Sequence, residues 1–135
     1  MEKIYTAMGL MSGTSLDGLD LSIIESDGNK EFTSIFNRYY EYDKELINKL
    51  LNIRQKITNP EGLIKYINEI NDLEREITLF HAKAVNETLE TTKFSVDLIG
   101  FHGQTIFHDS EKKITKQLGD GKLLSQLTRK KVVYN

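Results

Sequence analysis

Two apolar runs near the N-terminus, Ile4 to Leu10 and Leu19 to Ile24, enclose Met11-Ser12-Gly13-Thr14-Ser15-Leu16-Asp17-Gly18-Leu19-Asp20. Gly13 has no Cβ, so the backbone there can come close to a ligand. Gly13, Thr14 and Ser15 can aim N–H and hydroxyl donors at phosphate oxygens. Asp17 and Asp20 stand where a metal carried by that phosphate can be held, directly or through water. The same residue types are also ordinary turn formers, and the Walker pattern is absent. A second polar set, His102-Gly103-Gln104-Thr105, closes the apolar run Val96-Asp97-Leu98-Ile99-Gly100-Phe101. His102, Gln104 and Thr105 can hydrogen-bond a sugar, or satisfy the backbone of their own turn. His108 lies a few residues on and can join that wall. Asp120, in Gly119-Asp120-Gly121, is either a further site residue or a helix N-cap.

These groups need elements to position them. Strands are expected at Ile4–Leu10, Asp17–Glu25 and about Phe32–Tyr42. The first two flank the polar loop, and Asp27-Gly28-Asn29 is the turn between the second and third. Alternation in the third places Phe32, Ser34, Phe36, Arg38 and Tyr40 on one face and Thr33, Ile35, Asn37 and Tyr39 on the other. Asp43 is the expected N-cap of a helix from Lys44 to about Arg54. Pro60 opens a long helix over 61–91 with an interruption allowed. Its apolar stripe is Leu63, Ile64, Ile67, Ile70, Leu73, Ile77, Phe80, Ala84 and Leu89, read as core packing. His81 lies beside that stripe. A lone histidine with no second ligand at i+4 reads as structural rather than metal-binding.

Ser95 to His102 is expected as a buried strand, reached through the helix by a crossover and hence parallel to the first. The polar set then falls at the C-terminal end of a parallel strand, where open α/β sheets bind ligands. Ile114–Leu118 is a further strand, and Lys122–Thr128 is a short helix. Arg129-Lys130-Lys131 is a solvated helix end, and a last strand begins at Lys131.

The chain has 135 residues, 39% hydrophobic and 28% charged, which fits one globular domain over 1–135. A formal net charge of −2 gives no pull towards nucleic acid or an anionic membrane. No run nears the roughly 18 apolar residues of a membrane span, and no signal-peptide pattern opens the chain. The absence of cysteine excludes disulfides and thiolate zinc sites and fits a cytoplasmic protein.

The wording of Met11 to Asp20 resembles the N-terminal signature of the anhydro-N-acetylmuramic acid kinases. Three later segments resemble the same family, in family order: Leu73-Glu74-Arg75, then Ile99-Gly100-Phe101-His102-Gly103-Gln104-Thr105, then Gln117-Leu118-Gly119-Asp120 with Val132-Val133. The likeness covers nearly the whole chain but only about the first third of a family member. It implies an α/β, ribonuclease H-like (actin-like ATPase) domain, with an antiparallel three-strand meander, parallel strands and flanking helices. It implies ATP with Mg2+ as cofactor, Gly13, Thr14, Ser15, Leu16, Asp17, Gly18, Leu19 and Asp20 as the ATP phosphate loop, and His102, Gly103, Gln104, Thr105 and Asp120 near the sugar. The implied reaction is hydrolytic opening of the 1,6-anhydro ring with phosphorylation of O6, in peptidoglycan recycling.

Two departures bear on these roles. The wider superfamily usually has an aspartate on strand one, where Leu10 stands here, so metal roles of sugar kinases at large do not carry over directly to Asp17 or Asp20. The family's catalytic aspartate follows a segment that begins where Tyr134 and Asn135 stand. No catalytic residue is therefore expected within 1–135, and the chain alone is expected to be inactive. A second polypeptide supplying the remainder, or a homodimer, is the expected partner. A non-catalytic remnant or interaction domain with the same fold is the alternative, and an unrelated actin-like ATPase module leaves the His-Gly-Gln-Thr segment unexplained.

Overall fold

Alternating inward residues build the centre of the molecule, a computed structural model that describes residues 3–135. Met8, Leu10 and Ser12 are the buried positions of β1 (Tyr5–Ser12). β1 runs antiparallel to β2 (Gly18–Ser26), with Leu10 opposite Leu21 and Met8 opposite Ile23. β2 pairs with β3 (Phe32–Glu41), completing the meander. The register slips at Ile35: Ile23 faces Phe36 while Ile24 faces Ser34. This bulge breaks the expected alternation, and the consecutive Ile35 and Phe36 both pack against the core.

α1 (Lys44–Lys56) starts as expected: the Asp43 carboxylate accepts from the Leu46 N–H at 2.8 Å. Its buried stripe is Leu46, Leu50 and Ile53. The long helix is divided at Tyr66 into α2 (Glu61–Lys65) and α3 (Ile67–Thr92). The break takes Ile64 and Ile67 off the stripe; they are 78% and 45% exposed. Ile70, Leu73, Ile77 and Ala84 are buried as expected.

β4 (Leu98–Asp109) runs parallel to β1, with Met8 opposite Ile99 and Leu10 opposite Phe101. It continues well past His102, so Gly103, Gln104 and Thr105 lie within a strand rather than in a turn after one. The cause is β5 (Ile114–Leu118), which pairs antiparallel with the second half of β4. α4 (Gly121–Thr128) leads into β6 (Lys131–Val133), which lies parallel to the first half of β4. The six-stranded sheet runs β3-β2-β1-β4-β5, with β6 also on β4. Helices α1 and α3 cover one face, and the two layers share one core cluster that includes Leu21, Ile23, Leu50, Ile77 and Ile99. Such a face-to-helix core gives a fully buried leucine like Leu50 about 2–5 kcal/mol against truncation to alanine.

Candidate functional site

Residues 13–17 cross from β1 to β2 and bring most of their polar groups to the surface. Leu16 is the exception: it is fully buried at φ 60°, and its N–H donates to the Gly13 carbonyl at 3.3 Å. Burial holds a leucine in the left-handed region, and the loop is pinned by it. Leu19 is equally buried, so these two can meet a ligand only through the backbone. Arg54, in the last turn of α1, donates Nη1–H to the Thr14 carbonyl at 2.9 Å. The Tyr42 N–H donates to the Asp17 carbonyl, also at 2.9 Å. Ser15 Oγ–H donates to Asp17 Oδ1 at 2.8 Å, and this bond holds the Asp17 carboxyl below its ordinary range. Gly18 passes beneath Tyr39, where a Cβ would lie 2.6 Å from the Tyr40 carbonyl oxygen.

Beneath the loop lies a buried polar network. His81 Nδ1 sits 2.8 Å from the Ile77 carbonyl, which can only accept, so Nδ1 carries the proton. Burial lowers the imidazole pKa to about 4, so the ring is neutral and Nε2 is an acceptor. Ser12 Oγ, 3.3 Å away, donates to it. Tyr42 Oη is 2.9 Å from Ser12 Oγ and 3.1 Å from Gln104 Oε1, offering its proton to both. Burial pushes this phenol up to about 12. Gln104 Nε2–H then donates to the carbonyls of Gly13 at 2.8 Å and Thr105 at 3.2 Å. Among the described residues no buried side-chain polar atom lacks a partner.

β1, β4 and β6 are mutually parallel, and the C-terminal ends of β1 and β6 flank the middle of β4, at Gln104 and Gly100. On the helix-free face near those ends is a cleft of about 590 Å3, lined among others by Met11, Asp20, Ser22, His102 and Tyr134. Its floor is bare backbone where Gly9 faces Gly100. A smaller cleft of about 210 Å3 adjoins it, shares His102, and reaches Gln117 and Gly119. Gln117 Nε2–H donates to Thr105 Oγ1 at 3.3 Å.

The expected sugar-side residues therefore separate. His102 faces both clefts. Gln104 is fully buried and turned to the loop, not the cleft. Gly103 is buried at φ +81° against the Leu118 backbone. Asp120 caps α4, its carboxylate accepting from the Leu123 N–H at 3.0 Å. His108 bonds Thr115 Oγ1 at 2.7 Å and lines neither cleft. Of the two aspartates, Asp20 lines the larger cleft and Asp17 does not. Among the described residues no group of three or more His, Cys, Asp or Glu can hold a metal. The donor set fits a metal brought by nucleotide phosphates and touched by a single carboxylate, not one caged by the protein.

Sequence reasoning missed the supports of the site. Ser12 was legible as the next inward position after Met8 and Leu10. Glu74 lay in the family-like Leu73-Glu74-Arg75 segment with no role attached to it, and Thr78 had only a helical periodicity to mark it. Glu74 Oε2 accepts from the Gly119 N–H at 3.2 Å, and Thr78 Oγ1 accepts from the Asp120 N–H at 3.0 Å. With His81 they form a polar ridge on α3.

The family model for anhydro-N-acetylmuramic acid kinase matches residues 5–135. The chain belongs to the anhydro-N-acetylmuramic acid kinase family. An anhydro-N-acetylmuramic acid kinase of Pelagibacter ubique is 55% identical over 135 residues, covering all of this chain and 36% of the relative. Those of Agrobacterium fabrum and Rhodopseudomonas palustris are 39% and 37% identical, over 100% and 96% of this chain and 37% and 36% of their own lengths. The chain thus spans little more than a third of the curated relatives it matches. The mixed sheet with its antiparallel meander and flanking helices is the sugar-kinase and actin-like ATPase fold of the anhydro-N-acetylmuramic acid kinases. Each family-like segment has a structural place: the first is the β1–β2 loop, Leu73-Glu74-Arg75 lies on α3, and the third is β4. Gln117 to Asp120 run from β5 to the cap of α4.

Proposed function

We propose that residues 1–135 form the nucleotide-phosphate and sugar-wall portion of an anhydro-N-acetylmuramic acid kinase. The observation that carries this reading is a shared place in the sheet: the Gly13–Asp17 loop follows the C-terminal end of β1, and Asp20 and the mid-strand His102 of β4 line the cleft beside that end. The backbone donors and hydroxyls of Gly13, Thr14 and Ser15 bind the ATP phosphates. Asp20 would help hold the Mg2+ that travels with them, which would supply charge neutralisation for phosphoryl transfer. His102 hydrogen-bonds the sugar, with Thr105 and Gln117 behind it.

In the proposed reaction water adds at C1 of 1,6-anhydro-N-acetylmuramic acid, and the C1–O6 bond breaks. O6 takes the γ-phosphoryl group of ATP, giving N-acetylmuramic acid 6-phosphate and ADP. Phosphoryl transfer depends on positioning and charge neutralisation from several directions. On this reading residues 1–135 supply one wall, and the base for water is assigned to the remaining family sequence. The working unit is cytoplasmic, binds neither nucleic acid nor membrane, and pairs this segment with the remaining family sequence. Among the described residues no helix is long and apolar enough to cross a membrane.

A second reading, an interaction domain, draws on the apolar side chains around the larger cleft: Met11, Val133 and Tyr134 are 62%, 57% and 52% exposed. One assay separates the two. Phosphorylation of the anhydro sugar is measured with Mg-ATP, with this chain alone and with the remaining two-thirds of a relative added. Product only in the mixture is the expected result. No product in the mixture, with both pieces folded, overturns the kinase reading in favour of the second.

A further inference from the structure

Alternation along β4 puts Phe101 inward and His102 outward, which would return Gly103 inward and send Gln104 out to the cleft. Gln104 is instead fully buried. The reversal occurs at Gly103, whose φ of +81° coincides with a register irregularity between β1 and β4, where Ser12 faces Gln104. His102 and Gln104, two positions apart on one strand, thus face opposite ways: His102 to the cleft, Gln104 to the underside of the loop.

A buried carboxamide is costly unless its hydrogen bonds are made. Gln104 makes them across 91 residues of sequence, its Nε2–H donating to the Gly13 carbonyl at 2.8 Å. That carbonyl also accepts the Leu16 N–H that closes the loop. Tyr42 holds the other end of the carboxamide and, through Ser12, ties it to His81 on α3. An aliphatic side chain would fill the same space without hydrogen bonds, but would leave the Gly13 carbonyl held by the longer Leu16 N–H bond alone. We infer that Gln104 is a positioning residue that clamps the Gly13 carbonyl, fixing the direction of the loop's backbone donors and joining the loop to the strand that presents His102.

The clamp itself is a property of the chain without ligand; only its effect on nucleotide rests on the reading of the loop as a phosphate site. The test uses this chain with Gln104→Met, which keeps length and loses the donors, and Tyr42→Phe, which loses one hydroxyl and keeps the ring. Amide hydrogen exchange of residues 13–17 is compared with that of the β2–β3 ladder, without nucleotide. Exchange in the loop is expected to rise about tenfold in Gln104→Met and less in Tyr42→Phe, with the ladder unchanged. Loop exchange within twofold of the unaltered chain in both variants overturns the inference. So does an equal rise in loop and ladder, which marks a merely structural residue. Mg-ATP affinity, measured by calorimetry, is expected to fall with the loop's protection. The calorimetry is done on the chain mixed with the remaining two-thirds of a relative, and a loop that loosens where that mixture shows no Mg-ATP binding upholds the clamp and overturns the nucleotide reading alone.

Discussion

Ser12 Oγ on β1 and His81 Nε2 on α3 lie 3.3 Å apart, a hydrogen bond that spans 69 residues of sequence and that the neutral imidazole accepts. The His81 pKa is about 4 in the folded chain, against an ordinary 6.5. Between these values the unfolded chain binds the proton and the folded chain does not, so stability falls as pH falls. Moving from pH 7 to pH 5 is expected to remove about 2 kcal/mol through this group. Urea unfolding at the two pH values measures it. The same pair of curves for His81→Gln should lose most of that difference; an unchanged difference would mean the ring does not govern it.

Gly103→Ala is expected to cost about 2–4 kcal/mol, from a left-handed backbone and an added Cβ against the Leu118 backbone. Gly100→Ala is the contrast. Its added Cβ finds only the Met8 carbonyl oxygen, at 4.0 Å, so stability should stay within about 0.5 kcal/mol. Denaturant midpoints for the two variants check the ranking, and equal losses would refute the role given to Gly103.

Ser15→Ala removes the first cause of the lowered Asp17 pKa. The carboxyl should titrate closer to its ordinary value, followed by NMR of the Asp17 side-chain carbon against pH. A curve that does not move would assign the lowering to Tyr39, the other side chain that hydrogen-bonds Asp17.

Asp120 separates a capping role from a ligand role. Asp120→Asn keeps an acceptor for the Leu123 N–H, while Asp120→Ala removes it at a cost of about 1 kcal/mol. If capping is the whole role, neither variant changes sugar affinity in the reconstituted kinase. A large loss of affinity in Asp120→Asn, with stability kept, would return Asp120 to the substrate wall.

Much of this was legible from local chemistry. Asp43 and Asp120 each precede an apolar-periodic run and each caps a helix, because capping depends on neighbours a few residues away. The meander followed from alternation and from Asp27-Gly28. What escaped the sequence depends on pairing across long separations. Gln104 looked like a cleft residue because nothing local announces that β5 extends β4 through Gly103; the available signal was a glycine between His102 and Gln104 with apolar residues resuming at Ile106-Phe107. Ile64 and Ile67 kept helical spacing, but the turn at Tyr66 rotated them into solvent. His81 read as structural, and it is, but its partner Ser12 could not be named before β1 and α3 were brought together.

The polar ridge of α3 also constrains how this chain can vary in length. Glu74, Thr78 and His81 reach Gly119, Asp120 and Ser12 respectively. A residue inserted between Glu74 and His81 would turn one end of the ridge about 100° from the other and move it about 1.5 Å along the axis. The strand ends on both sides of the cleft would then lose their common gauge. An insertion at the Tyr66 break, where the helix is already divided, leaves the ridge in phase with itself. Length changes in this segment should therefore collect at the break and be absent from the two turns that face the site.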